Sequence, residues 1–165
     1  KMGKMNIETL LTKKVDVWPV YRNSGGVHLK DQLAKAGESV YFFNPADFGV
    51  NFVANSIITS KAMIKNNPDV VDKFLKALLK GWEEAMNPAN EAQAIAAIKT
   101  KDTGNYDSEI IKKQLIETRK LIKPSESIKI GTIIINDWKQ TEQIMLKEKL
   151  IKKPVHVENY IIPLK

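Results

Sequence analysis

The chain has 165 residues, of which 43% are hydrophobic and 27% charged, a composition typical of a folded domain rather than a disordered segment. It contains no cysteine, which excludes disulfides, thiolate metal sites and cysteine nucleophiles. The net charge is +7, yet the lysines are scattered over amphipathic segments without an aromatic and basic platform, so no nucleic-acid partner is predicted. No apolar run approaches the roughly 20 residues that a transmembrane helix needs.

Short apolar segments between turn residues predict the β-strands of the chain. Residues 15–20 carry a single charge, and Pro19 marks the end of this strand because proline cannot donate a ladder hydrogen bond. Two further buried strands are predicted at residues 40–43 and 53–58. Residues 133–135 fit either a short strand or the approach to the last helix.

Amphipathic periodicity and capping residues predict the helices. The longest is expected at Pro68–Met86, since Asn67 is a capping residue and proline is favoured at the first helical position. Apolar residues recur every four positions along it and, with the apolar residues that flank them, are expected to face a core. The recurring residues are Val70, Phe74, Leu78 and Trp82, and the flanking ones are Val71, Leu75, Leu79 and Met86. The other predicted helices are residues 6–12, residues 28–36 closed by Gly37, residues 61–66 capped by Ser60, one opened by Asn87 and Pro88, one capped by Asp107 or Ser108, and one capped by Asn136.

A candidate ligand-binding set lies around the end of the first predicted strand and in the segment after residue 43. Aromatic rings offer flat faces for stacking, arginine offers a fork of donors for carboxylate, sulfonate or phosphate, and asparagine amides both donate and accept. In α/β sheets ligands collect beyond the carboxyl ends of strands, so such residues are expected to line one cleft wall. The set consists of Trp18, Tyr21, Arg22, Asn23, Asn51 and Asn55.

A structural interpretation of the same residues stays open. In it Trp18 belongs to the core, Arg22 is a solvent-exposed charge, and the asparagines only form turns.

No catalytic set can be assembled from the sequence. His28 and His156 stand alone, without the spacing that metal ligands show. Ser24 precedes Gly25 and Gly26, but it lacks the nucleophile-elbow pattern and an evident base, and two glycines are too few for a phosphate loop. The sequence therefore predicts no enzyme activity, no catalytic residue, no metal and no cofactor.

The chain is organised around residues 43–60, where a turn at Asn44-Pro45 and the flexible Gly49 precede an apolar segment. Taken alone, this segment fits an ordinary loop leading into a buried strand; it also fits a crossing between two packed bodies. Three stretches in this order resemble the solute-binding proteins of ABC importers, above all the thiamin-pyrimidine-precursor branch related to the sulfonate, nitrate and taurine binders. They are VDVWPVY at 15–21, NPADFGVNFVANSIITS at 44–60 and NPDVVDKFLKALLKGWEEA at 67–85.

The resemblance implies an α/β fold that is periplasmic-binding-protein-like (type II), with two lobes linked by a hinge crossing. Residues 1–43 are then part of the second lobe, residues 44–53 the hinge crossing, and residues 54–165 the C-terminal part of the first lobe. The chain resembles only the C-terminal part of a complete family member. A missing N-terminal segment or self-association is therefore expected to cover its apolar helix faces.

The function implied by the resemblance is that of the extracytoplasmic solute-binding component of an ABC importer. Its partners would be a small polar or anionic solute, such as a thiamin pyrimidine precursor or a sulfonate-like compound, and the transporter permease. The implied location is periplasmic, or extracellular with a lipid anchor, although no signal is present in this chain.

The chain departs from the pyrimidine binders at one point. They carry an acidic residue shortly after the Tyr-Asn stretch, whereas the matching run here is Tyr21-Arg22-Asn23-Ser24, which favours an anionic or differently substituted solute. The alternative function is that of the superfamily's pyrimidine-precursor synthase, which uses its own histidine, pyridoxal phosphate and a cysteine-rich motif. This chain has no cysteine and no histidine in a comparable setting.

Overall fold

The computed structural model of the chain describes residues 8–53, 55–123, 125 and 127–162. Within these ranges the regular structure is helical. The helices are α1 (Glu8–Leu11), α2 (Gly25–Lys35), α3 (Lys61–Asn66), α4 (Pro68–Met86), α5 (Glu91–Lys99), α6 (Ser108–Ile122) and α7 (Ile135–Lys147), with 3-10 turns at Pro45–Phe48, Pro88–Asn90 and Val157–Tyr160.

The chain packs as two units. Unit 1 comprises Lys1–Tyr41 and Trp82–Ile130, and unit 2 comprises Phe42–Gly81 and Gly131–Lys165. The boundary between Gly81 and Trp82 falls inside α4. The assignment of residues 1–43, 44–53 and 54–165 to lobes and a hinge stays a prediction.

The predicted strands are wrong for the part of the chain that the structure describes. Residues 15–20 and 40–43 and the described residues of 53–58 have no strand structure, and Ile58 in the last of them is 88% exposed. A strand forms only when its backbone donors and acceptors pair with a neighbouring strand, which these segments do not find in the described chain. Residues 133–135 are the approach to α7, with Ile135 as its first residue.

Most helix predictions are confirmed, because their start signals are local. The longest described helix is Pro68–Met86, as predicted. The Ser60 side chain accepts a hydrogen bond from the Met63 backbone N–H, and Asp107 does the same for Glu109. Two starts are wrong: α2 begins at Gly25, three residues before the predicted position, and α7 is capped by Ile134 rather than Asn136. The start predicted at residue 6 lies outside the described residues.

The predicted core face of α4 is only partly correct. Val70, Phe74 and Trp82 are exposed, whereas Leu78 is half-buried. The predicted flanking residues are confirmed, since Val71, Leu75 and Leu79 are partly buried and Met86 is buried; Ala85 is partly buried as well. The spacing alone does not decide burial, because the partly buried row that starts at Val71 has the same spacing of four as the mostly exposed row that starts at Val70.

The core of unit 1 forms where α4 ends and α6 begins. Met86, Ile111 and Leu115 are buried together, with Ile95 and Ile130 partly buried against them. Ile111 is 1% exposed, so its side chain is fully enclosed. This cluster gives α6 a fixed position from which it can hold the loop before α2.

An ion-pair cluster joins α2 to α6 in unit 1. The Asp31 carboxylate accepts from Lys113 Nζ at 2.6 Å and pairs with Lys35 Nζ at 2.8 Å. The hydrogen bond from Lys113, followed by that from Lys35, lowers the pKa of Asp31 from 3.8 to about 2.

Because the folded pKa of Asp31 is depressed, its contribution to the free energy of unfolding is present above about pH 4 and lost as pH falls towards 2. We therefore expect Asp31→Asn to destabilise the protein at pH 6, and the difference from wild type to shrink between pH 4 and pH 2. Urea unfolding followed by circular dichroism at several pH values measures this. A difference that is the same at pH 6 and pH 2 would contradict the assignment.

In unit 2 the turn Val157–Tyr160 is held against α7 by one carboxylate. Glu142 Oε1 accepts from the backbone N–H groups of Val155 at 2.6 Å and His156 at 3.0 Å, and Oε2 accepts from Val157 at 2.9 Å. The hydrogen bond from Val157 is the main reason that the pKa of Glu142 is lowered. Lys61 Nζ also lies 5.1 Å from the centre of the Tyr160 ring.

Candidate ligand-binding site

The loop before α2 is a tight turn that ends in the helix. The Tyr21 carbonyl accepts from the Ser24 N–H at 3.1 Å and from the Gly26 N–H at 2.9 Å. These bonds fix the backbone on either side of Arg22 and Asn23, two of the predicted site residues. The loop is therefore a defined structure rather than a loose connection.

Side chains of α6 hold this loop from outside it. The Asn23 amide nitrogen donates to Thr118 Oγ1 at 3.1 Å, and Thr118 in turn donates to the Gln114 carbonyl at 2.7 Å. Arg22 Nε lies 3.8 Å from a carboxylate oxygen of Glu117. One donor of Asn23 and part of the Arg22 charge are thus used inside the protein.

The two aromatic residues of the predicted set differ in exposure. Trp18 is half-buried, whereas the Tyr21 side chain is 68% exposed. An exposed ring on a backbone that is hydrogen-bonded in place can stack on a planar ligand without a large loss of conformational entropy. Of the two predicted aromatic residues, Tyr21 therefore presents the larger accessible face.

The glycine that follows Ser24 is explained by close packing. A Cβ on Gly25 would lie 2.8 Å from Val20 Cγ2, which is too close for two carbon atoms. Gly25 therefore allows the segment before the loop to approach the start of α2. This close packing accounts for the glycine without a phosphate-binding role.

We expect Gly25→Ala to lower the free energy of unfolding by about 1–2 kcal/mol, since the added methyl group forces Val20 to move. Gly81→Ala is the matched control, because nothing lies within 4 Å of the new Cβ in the middle of α4. That variant should be more stable by about 0.5–1 kcal/mol, as alanine is the better helix former. Chemical denaturation compares the two; equal effects would contradict the packing argument.

The other two predicted residues lie in unit 2, where the segment around them is held by α7. The Asn51 backbone N–H donates to Gln140 Oε1 at 2.7 Å, and the Gln140 amide nitrogen donates to the Gly49 carbonyl at 3.0 Å. The Val53 N–H donates to Thr141 Oγ1 at 3.1 Å. Asn51 and Asn55 are both exposed.

A second polar cluster of unit 1 lies outside the predicted set. Arg119 Nη1 donates to Glu91 at 2.9 Å, and this bond, followed by that of Lys112, lowers the pKa of Glu91. The Arg119 side chain borders an open cavity of about 730 Å³ between the end of α4 and the end of α6. None of the six predicted residues lines that cavity.

The two histidines lie apart from any cluster of metal-ligand side chains in the described chain. The His28 ring lies 4.6 Å from the Tyr106 ring, centre to centre, and His156 adopts a left-handed backbone with φ of 55°. Among the residues described, no group of three or more histidine and acidic side chains could hold a metal ion. Within the same residues, no helix has the length and apolar character needed to cross a membrane.

Three residues that shape the two loops were missed by sequence reasoning. Thr118, Gln140 and Thr141 contact the loops across 88 to 95 residues of sequence. Nothing in the spacing of residues around them marks these contacts, because a single sequence reports mainly neighbours along the chain.

The chain matches a protein-family model and is similar to a named binding protein. The family model described as NMT1/THI5 like matches residues 1–92, a range that contains all six predicted site residues. The chain is 26% identical over 160 residues to the riboflavin-binding protein RibY of Chloroflexus aurantiacus, an alignment that covers 96% of this chain and 44% of that protein. This chain therefore spans less than half the length of that relative. No solved structure is significantly similar to the chain.

Proposed function

The chain belongs to the NMT1/THI5-like family, and on that premise we propose that it is part of a solute-binding protein that captures a small planar molecule outside the cytoplasm. The observation that carries the proposal is the exposed Tyr21 ring on a loop that Asn23 ties to α6. A ring held in this way is suited to stacking.

The proposed solute is a planar heteroaromatic compound, with riboflavin and the thiamin pyrimidine precursor as the two candidates. The name of the relative supports the first of these, and the resemblance of the sequence supports the second. Glu117 already faces Arg22, which weakens the case for an anion such as a sulfonate. Amide groups such as those of Asn51 and Asn55 suit the ring edges of both candidates, since those edges carry donors and acceptors.

The six predicted residues remain proposals as ligand contacts, in two sets that are tested separately. The first set, in unit 1, is Trp18, Tyr21, Arg22 and Asn23. The second, in unit 2, is Asn51 and Asn55. We propose further that the whole protein delivers its solute to the permease of an ABC importer, from the periplasm or from a lipid anchor at the cell surface.

Isothermal titration calorimetry on the full-length protein tests the proposal with riboflavin, a hydroxymethyl-pyrimidine and taurine. We expect saturable one-site binding of at least one of the two ring compounds and none of taurine. Binding of taurine alone would replace the planar solute by a sulfonate. No binding of any of the three would overturn the proposed solute class.

The protein is proposed to bind its solute without converting it. Incubation with pyridoxal phosphate, followed by mass spectrometry of the small molecules, should give no pyrimidine product. Formation of that product would favour the synthase alternative instead.

A further inference from the structure

The Gln140 side chain takes the place of a neighbouring strand along residues 49–53. Its amide nitrogen donates to the Gly49 carbonyl at 3.0 Å, and its amide oxygen accepts from the Asn51 N–H at 2.7 Å. In a parallel β-ladder, one residue of the adjacent strand makes this pair of bonds, to the residues before and after the one it faces. A single glutamine of α7 thus makes the two backbone hydrogen bonds, to the Gly49 carbonyl and the Asn51 N–H, that a neighbouring strand would make.

Thr141 continues the same pattern by one step. Its hydroxyl oxygen accepts from the Val53 N–H at 3.1 Å and donates to the Asp137 carbonyl at 2.8 Å, so both of its hydrogen-bonding roles are used. The groups bound by α7 belong to residues 49, 51 and 53. This is the spacing of two residues at which a parallel β-ladder bonds one side of a strand.

The turn that precedes residues 49–53 also fixes their position. Asn44 caps the turn Pro45–Phe48, and Gly49 leaves it with φ of 78°, a left-handed conformation that glycine adopts without strain. The Val50 N–H donates back to the Pro45 carbonyl at 3.0 Å. The chain is therefore fixed on both sides of Gly49, by the turn before it and by α7 after it.

From this geometry we propose that Gln140 is a positioning residue for the ligand contact of Asn51. It holds the Asn51 backbone to α7 while Asn51 stays exposed. We call the two hydrogen bonds from Gln140 to Gly49 and Asn51 the latch. The ligand contact of Asn51 rests on the proposed function, whereas the latch does not.

Gln140→Glu tests the latch through the pH dependence of amide hydrogen exchange. A glutamate carboxylate can still accept from Asn51 but cannot donate to Gly49, and its second oxygen faces the Gly49 carbonyl. At pH 7 the protection factor of the Asn51 amide should fall by about tenfold. Below about pH 4 the protonated carboxyl regains a donor, and the protection should return towards the wild-type value.

Gln143→Glu is the matched control, because Gln143 is an exposed glutamine of the same helix. It introduces the same charge into α7 and should leave the Asn51 protection factor unchanged at both pH values. Unaltered exchange of the α7 backbone amides in both variants shows that the helix is intact. Unchanged protection of Asn51 in Gln140→Glu at pH 7 would overturn the latch.

Riboflavin and hydroxymethyl-pyrimidine titrations of the same variants test the ligand contact of Asn51. In Gln140→Glu at pH 7, affinity for the compound that the wild type binds should fall by about fivefold, and Gln143→Glu should bind like wild type. Lost protection with unchanged affinity would overturn the positioning role. A wild type that binds neither probe would overturn the proposed function and with it the ligand contact, while hydrogen exchange would still decide the latch.

Discussion

Ile111→Ala is expected to lower the free energy of unfolding by about 3 kcal/mol. Ile111 is 1% exposed and packs with Met86 and Leu115 where α4 and α6 meet. Removing its side chain loses apolar burial and leaves a cavity, because neighbouring side chains in a packed core relax only partly. Urea unfolding monitored by tryptophan fluorescence and circular dichroism measures the change.

Ile116→Ala on the same helix is the control for this prediction. Its side chain is 38% exposed, so the same deletion should cost less than about 1 kcal/mol. Ile111→Val, which removes a single methylene group, should fall between the two at about 1 kcal/mol. Similar losses for Ile111→Ala and Ile116→Ala would show that the junction of α4 and α6 is not a packed core in solution.

Tyr21→Ala is expected to weaken binding of a planar solute by about tenfold to a hundredfold, the largest effect on function. The exposed ring is lost, and stacking of one aromatic ring on another is worth about 1–3 kcal/mol by alanine substitution. The loop should keep its shape, since the hydrogen bonds at this position use the Tyr21 backbone carbonyl and not the ring. Titration of riboflavin and of hydroxymethyl-pyrimidine measures the loss.

Two further variants separate stacking from other effects. Tyr21→Phe keeps the ring and should bind within about threefold of wild type, as only the hydroxyl group is removed. Tyr41→Ala removes an 87% exposed tyrosine of the same unit and should not change affinity. Wild-type affinity in Tyr21→Ala, in a protein that binds the probe, would remove Tyr21 from the ligand-binding set.

The sequence alone determined those parts of the structure whose energies come from near neighbours. The extent of Pro68–Met86 and the caps at Ser60 and Asp107 follow from proline geometry and from side chains that bond to backbone two or three residues away. The residues that point to the family are local in the same sense, since they lie in short contiguous stretches within residues 1–92.

Only the tertiary structure decided what the extended segments and the helix faces contact. Residues 15–20 and 53–58 have the composition of strands, but a strand needs a neighbouring strand to pair with, and the described chain gives them none. At the start of the second segment the Val53 N–H instead donates to the Thr141 side chain, 88 residues away. Burial on α4 was likewise set by the elements that pack on it, which is why Val70 and Phe74 are exposed although their spacing is that of a core face.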